Sequence, residues 1–192
     1  MKIYNTEVLN IKNAMRGMRF PMGSNGDTKG HLIAKIGPKD LKLAKTLSKA
    51  GSGHDKYLRQ ILVSCTIEAP LFWWKEMSQY KVGTVTDSAS TMHKLASTPI
   101  TQSCFEYMIC DELLHDLEQL RQDYNDTGDK ECWLTLINEL PCGWLQKRMW
   151  TGNYAVLKNI YHQRKGHRLP QWERFREWIE LLPYSELITL KD

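Results

Sequence analysis

The chain is short of most signatures that would assign it at once. Its five cysteines, Cys65, Cys104, Cys110, Cys132 and Cys142, are odd in number and contain no C-x-x-C pair. That pattern argues against a disulfide scaffold or a structural zinc site, and for reduced thiols in a cytoplasmic protein. No run approaches the roughly 18–20 apolar residues of a membrane span. Met1–Asn10 has no basic segment leading into an apolar one, so no secretory leader is expected. The patterns G-x-x-x-x-G-K-[ST], G-x-G-x-x-G, H-E-x-x-H and G-x-S-x-G are all missing. The common phosphate cradles, the zinc-hydrolase helix and the serine-hydrolase elbow are thereby excluded, and no metal is expected. There is no internal repeat, which removes the solenoid architectures. The charge excess is only +4, and the basic residues are scattered, so neither a nucleic-acid interface nor a membrane surface is expected.

What remains is an ordinary globular composition over 192 residues, with 42% hydrophobic and 25% charged residues. That is enough chain to bury a core without staples. Seven tryptophans are many for this length, and large aromatics serve both cores and sites that stack flat rings.

Glycine and proline punctuation gives the organisation. Residues 1–36, broken by Gly17, Pro21, Gly23, Gly26 and Gly30, read as an irregular N-terminal segment. The remainder, 37–192, reads as one domain. Gly37-Pro38 opens a helix with an apolar stripe at Leu41, Ala44, Leu47 and Ser48, and Gly51 ends it. Gln60–Pro70 alternates as a strand through Ile61, Val63, Cys65 and Ile67. Leu71–Tyr80 reads as a short aromatic helix, and Lys81–Ser90 as a hydroxyl-rich loop. Four further helices are expected over Cys104–Asp123, Lys130–Leu140, Met149–Arg164 and from Pro170 to near Pro183. The sum is an α+β class with few strands and several helices.

Two stretches carry candidate chemistry. In the first, Lys81 leads a loop whose backbone amides and hydroxyls suit phosphate oxygens. In the second, Asn153, Ile160 and Arg164 fall seven and eleven residues apart, on one face of the expected Met149–Arg164 helix. An amide and a guanidinium there suit a pyrimidine and a phosphate; a solvated helix face with a capping cation is the alternative.

These stretches resemble the flavin-dependent thymidylate synthases over roughly residues 50–190. Ala69-Pro70 and the aromatic helix match the family's strand end and helix without a gap. The family's R-H-R triplet then falls on Gln79, Tyr80 and Lys81, its serine on Thr84, and its Asn-Glu on Thr86 and Asp87. Its later serine falls on Ala89, between Ser88 and Ser90, and its last arginine on Thr91. Leu140-Pro141, Lys147 and Trp150-Thr151-Gly152-Asn153 match the C-terminal motif, followed by Arg164, His167 and Gln171-Trp172-Glu173. The Trp-Trp-Lys-Glu and Tyr-Lys-Val-Gly-Thr wording is similar to phage-type relatives of that family.

The resemblance implies a small antiparallel sheet with several packed helices. It implies an enzyme that methylates C5 of dUMP, using FAD, methylene-tetrahydrofolate and NADPH and no cysteine nucleophile. Lys147, Arg164, Thr84, Asp87, Ser88 and Ser90 would bind the substrate, Asn153 or Asn159 would read the pyrimidine edge, and Arg164 would polarise a carbonyl as the catalytic residue. Gln79, Tyr80, Lys81 and His167 would lie on the cofactor side. Trp73, Trp74 and Tyr80 either stack on flavin or pack in the core. A homotetramer with shared sites is implied. Hydroxymethyl transfer and dCMP as substrate stay open, as does a non-catalytic relative that binds nucleotide and has lost flavin; the remaining alternative is a mildly basic nucleic-acid-binding module, which would bind polynucleotides in a salt-dependent way and ignore mononucleotides.

Overall fold

The computed structural model describes residues 1–24 and 36–191. Gly26 and Gly30, expected to break the N-terminal segment, lie outside these. In chain order the elements are β1 (Lys2–Leu9), α1 (Ile11–Gly17), α2 (Pro38–Ala50), β2 (Leu62–Pro70), α3 (Leu71–Met77), β3 (Val85–Ser88), α4 (Thr91–Lys94), α5 (Asp111–Thr127), α6 (Lys130–Glu139), β4 (Leu145–Asn153), α7 (Tyr154–Gln163), α8 (Pro170–Glu180) and α9 (Glu186–Thr189). The four strands form one antiparallel sheet in the order β1-β2-β4-β3. The class is therefore α+β, as expected. Among the described residues no helix is long and apolar enough to cross a membrane.

β2 follows its alternation closely. Val63, Cys65, Ile67 and Ala69 are fully buried, while Ser64, Thr66 and Glu68 are half-buried. α2 runs from Pro38 to its glycine stop as expected, burying Ala44 and Ser48, and α8 starts at Pro170.

Four expectations are corrected. Within the described part of the N-terminal segment, residues 1–24, the chain forms β1 and α1 and is not irregular. Most of β1 is exposed, so it lacks the apolar alternation that marks a half-buried strand. The hydroxyl-rich loop contains β3, whose four residues are all exposed. The helix expected from Cys104 begins only at Asp111, after a short 3-10 turn at Gln102–Cys104. The helix expected over Met149–Arg164 is a strand to Asn153 and a helix after it. Asn153 therefore does not share a helical face with Ile160 and Arg164.

The chain contacts divide into two compact units. The first comprises residues 1–2, 66–79 and 87–149. Its core gathers Leu95, Ile100, Phe105, Leu117 and Leu136, with α5 packed on α6. Trp73 and Trp74 are buried in this unit. The Trp74 indole donates to the Gln146 carbonyl at 3.0 Å, and the Arg148 guanidinium lies 4.4 Å over its ring. Core packing is thus the role of both indoles, and burial pulls the Arg148 pKa down.

The second unit comprises residues 3–65, 80–86 and 150–192. α7 packs on α8 and α9, and α9 on α2. The Ser48 hydroxyl donates to the Leu187 carbonyl at 2.7 Å. Trp150, Trp172, Phe175 and Ile179 are buried together, with Phe175 edge-on to both indoles. Desolvating that much aromatic surface stabilises this unit by several kcal/mol, at about 25 cal/mol per Å².

Candidate functional site

The second unit brings together five of the residues singled out in the sequence: Tyr80, Thr84, Asn153, Arg164 and His167. α7 organises them. At its N-terminus Asn153 leaves the strand with extended backbone, and its Oδ1 accepts from the Val156 amide at 3.1 Å. This is an N-cap, and it satisfies one of the amides that a helix start leaves unpaired. At the C-terminus Arg164 is the capping residue, its amide bonded to the Ile160 carbonyl at 2.9 Å. Ile160 itself is fully buried.

The turn from Tyr80 to Thr84 runs beside this helix. Gly83 has φ +77°, and a Cβ there would lie 3.1 Å from Asn153 Nδ2 and 3.3 Å from a Val156 methyl. Glycine is required twice over, for the left-handed backbone and for the approach. The Thr84 hydroxyl donates to the Tyr80 carbonyl at 2.7 Å and closes the turn.

Tyr80 then reaches the far end of α7. Its hydroxyl accepts from Arg164 Nε at 2.8 Å and donates to Gln163 Oε1 at 3.0 Å. The Arg164 guanidinium carbon lies 4.4 Å from the Trp172 ring centre and 5.2 Å from that of Tyr80. Cation–π contacts at these distances fix a guanidinium over flat rings. His167 stands edge-on to Trp172 at 6.2 Å, and its Nδ1 accepts from the Leu169 amide at 3.1 Å. Lys81 is exposed beside Tyr80.

Asn159, on α7, lines an open groove of about 440 Å³ with Asp55, Lys158, His162 and Gln163. Lys158 is committed there to Asp55 at 2.9 Å and to the Ser48 carbonyl at 2.6 Å, so it is a structural cation.

The other predicted residues belong to the first unit. Lys147 is exposed on β4, and its carbonyl accepts from the Ala89 amide at 2.8 Å. Asp87 and Ser88 are exposed on β3. Ser90 caps α4 through a 3.3 Å bond from the His93 amide. Gln79 is exposed just past α3.

Sequence reasoning missed two features. One is the pairing of Arg164 with Trp172: Trp172 reads as a core residue of α8, and nothing in the intervening turn announces that it folds under Arg164. The other is a cavity of about 1000 Å³ within the second unit. It is lined by apolar Met18, Leu43 and Leu47 and by the exposed cationic or titratable side chains Lys42, His54 and Lys56. Its size suits a large organic ligand. No local motif marks it, because it is assembled from α1, α2 and the turn before β2. Among the described residues no cluster of three or more His, Cys, Asp or Glu could hold a metal ion.

No family model matches the chain, and no curated protein matches it in sequence. Solved structures match it over its length. A crystal structure of the flavin-dependent thymidylate synthase ThyX from Helicobacter pylori, complexed with FAD and dUMP, aligns with TM-score 0.76 at 14% identity. The alignment covers 100% of this chain and 99% of that one. A second structure of thymidylate synthase X from the same organism, also with FAD and dUMP, gives TM-score 0.76 at 15% identity, covering 100% and 98%. The UMP/dUMP methylase PolB from Streptomyces cacaoi, bound with 5-Br UMP, gives 0.62 at 15% identity, covering 98% and 94%. The chain therefore has the fold of the flavin-dependent thymidylate synthases, the fold its sequence motifs led us to expect.

Proposed function

We propose that this protein methylates C5 of a pyrimidine nucleotide, with dUMP as substrate and methylene-tetrahydrofolate as carbon source. The observation that carries the reading is the agreement in fold, over 98–100% of this chain, with ThyX bound to FAD and dUMP and with the UMP/dUMP methylase PolB bound to 5-Br UMP. Arg164 is the residue on which the reading turns. A guanidinium at a pyrimidine carbonyl stabilises the negative charge that develops there as C5 becomes nucleophilic. Asn159 is assigned to the pyrimidine edge. Asn153 carries the same assignment through its amide nitrogen, since its oxygen is taken by the helix cap. Taken by itself, the first unit offers Lys147 with the hydroxyls of Ser88 and Ser90, beside Asp87, as a candidate phosphate-binding set. A lysine there supplies charge without the bidentate fork of arginine.

The chain offers a fit for flavin. The cavity lined by Met18, Leu43 and Leu47, about 1000 Å³ in volume, has room for a large organic cofactor, and Lys42 and Lys56 would face its phosphates. When bound, FAD would supply the redox chemistry of the methyl transfer, with NADPH as reductant. Gln79, Tyr80, Lys81 and His167, assigned to the cofactor side by the family resemblance, do not line this cavity, so flavin held there would not touch them. A homotetramer in the cytoplasm completes the reading.

The test is the visible absorption of the purified protein titrated with FAD and then with dUMP. Flavin bands that shift when dUMP is added support one shared site. A protein that binds dUMP and takes up no FAD would leave the second reading, a nucleotide binder without flavin chemistry. In the same assay Arg164→Ala weakens dUMP binding by about 1.5–3 kcal/mol, the scale of a hydrogen bond to a charged group. Unchanged affinity would remove Arg164 from the site.

A further inference from the structure

We infer that Arg148 is an anion-binding residue, which presents the Nη1–Nη2 end of its guanidinium to an oxyanion of a reactant. The site lies within the first unit. Side chains on β4 alternate between the two faces of the sheet, so Gln146 and Arg148 share one face and the exposed Lys147 takes the other. Trp74 of α3 lies over the shared face. Its indole donates to the Gln146 carbonyl at 3.0 Å, and the Arg148 guanidinium stands 4.4 Å from its ring centre.

The guanidinium is oriented by the protein alone. Its Nε donates to Gln146 Oε1 at 2.9 Å. That amide is fixed in turn, because its Nε2 donates to the Ala89 carbonyl at 3.1 Å and to the Thr91 hydroxyl at 3.3 Å. The buried Trp74 ring holds the flat face of the cation. Of the guanidinium's N–H donors, only Nε–H is taken. Among the described residues no acceptor meets Nη1 or Nη2, and no carboxylate pairs with the charge. Arg19, Arg121 and Arg176 differ in this respect: their largely buried side chains meet Asp40, Glu118 and Glu173. A guanidinium drawn partly out of water without a counter-charge costs stability. Burial pulls the Arg148 pKa down, and no carboxylate restores it. An oxyanion would supply the missing charge and acceptors together, through parallel hydrogen bonds to the Nη1–Nη2 fork. A folate carries such oxyanions as the carboxylates of its glutamate tail, and a nucleotide carries one as its phosphate. Lys147, on the opposite face, is not part of this site.

The experiment titrates the full chain, labelled with 15N-arginine, with inorganic phosphate, dUMP and tetrahydrofolate in separate arms. The Arg148 Nε–H signal is identified by its loss in Arg148→Met. At least one probe is expected to shift that signal to saturation. A shift with dUMP or phosphate identifies a phosphate oxyanion, and a shift with tetrahydrofolate alone identifies a carboxylate. Affinity for that probe, read by calorimetry, is expected to fall about tenfold or more in Arg148→Met, and to be only partly kept in Arg148→Lys, which has the charge without the fork. Since it removes an uncompensated charge and keeps an apolar stem, Arg148→Met is expected to melt no lower than the wild type. No shift with any probe, or unchanged affinity in both variants, overturns the inference. Should Arg148→Met fail to fold, the wild-type shift and Arg148→Lys decide. A wild type that binds no dUMP counts against the nucleotide reading alone, and the phosphate and tetrahydrofolate arms then decide the role of Arg148.

Discussion

The indole of Trp150 lies across the backbone of Gly152, so close that a Cβ at 152 would stand 2.3 Å from ring atom Cη2. Trp150 is 1% exposed and edge-on to Phe175. It cannot give way without disturbing the core of its unit. Gly152→Ala is expected to lower stability by about 1–3 kcal/mol, the usual cost of overpacking a close-packed interior. Chemical denaturation with a far-ultraviolet readout checks this, and a variant as stable as wild type would mean that the indole has room to move.

Asn153 is a cap as well as a candidate ligand contact, and the two roles separate experimentally. Asn153→Ala is expected to destabilise by about 1 kcal/mol through loss of the helix cap. Asn153→Asp keeps the accepting oxygen and should retain most of that stability. If dUMP affinity falls in both variants while stability falls only in the alanine, the amide nitrogen reads the base. Equal affinity in all three proteins would confine Asn153 to capping.

The cysteines are expected to alkylate in a fixed order. Cys65 is fully buried on β2, and desolvation pushes its thiol up to about 12. Cys110 and Cys142 are exposed. Since the thiolate is the reactive form, iodoacetamide at neutral pH should label Cys110 and Cys142 well before Cys65, as read by peptide mass spectrometry. Early labelling of Cys65 would show that β2 opens locally.

Acid should weaken the first unit through Glu118. Its carboxylate accepts from Arg121 Nη2 at 2.5 Å and from the Ile100 amide at 2.8 Å. The Arg121 hydrogen bond is the main cause that lowers its pKa from 4.5 to about 2. A depressed carboxylate stabilises the folded state above its unfolded value and loses that contribution as pH falls through the folded one. Thermal melts from neutral pH down to about 2 should show this loss across the window below 4.5. Glu118→Gln should be less stable at neutral pH and should converge on the wild type in acid. A constant difference across the range would sink the assignment.

What could be read from the sequence divides along physical lines. α2 and α8 were legible because proline at the first turn is a local signal, and Gly51 closes α2. β2 was legible because one face is buried, so period-two alternation was written into Val63, Cys65 and Ile67. β1 and β3 carry mostly exposed side chains; their identity as strands lies in pairing with distant chain, which composition does not record. The junction at Asn153 was misread because Trp150 to Leu157 is apolar at spacings that fit a helix. Its asparagine was the available sign of a helix start. At the candidate site, Arg164 and Asn153 could be picked out singly. Their joining through Tyr80 and Gly83 could not, because it depends on a turn some seventy residues upstream in the chain.

That turn has a mechanical meaning. α7 has ten residues and so is about 15 Å long. A segment of five residues touches it at both ends: Gly83 against Asn153 and Val156 at the start, Tyr80 against Gln163 and Arg164 at the finish. Tyr80–Thr84 is a splint laid along the helix. Both ends of α7 are thus braced by the same short turn.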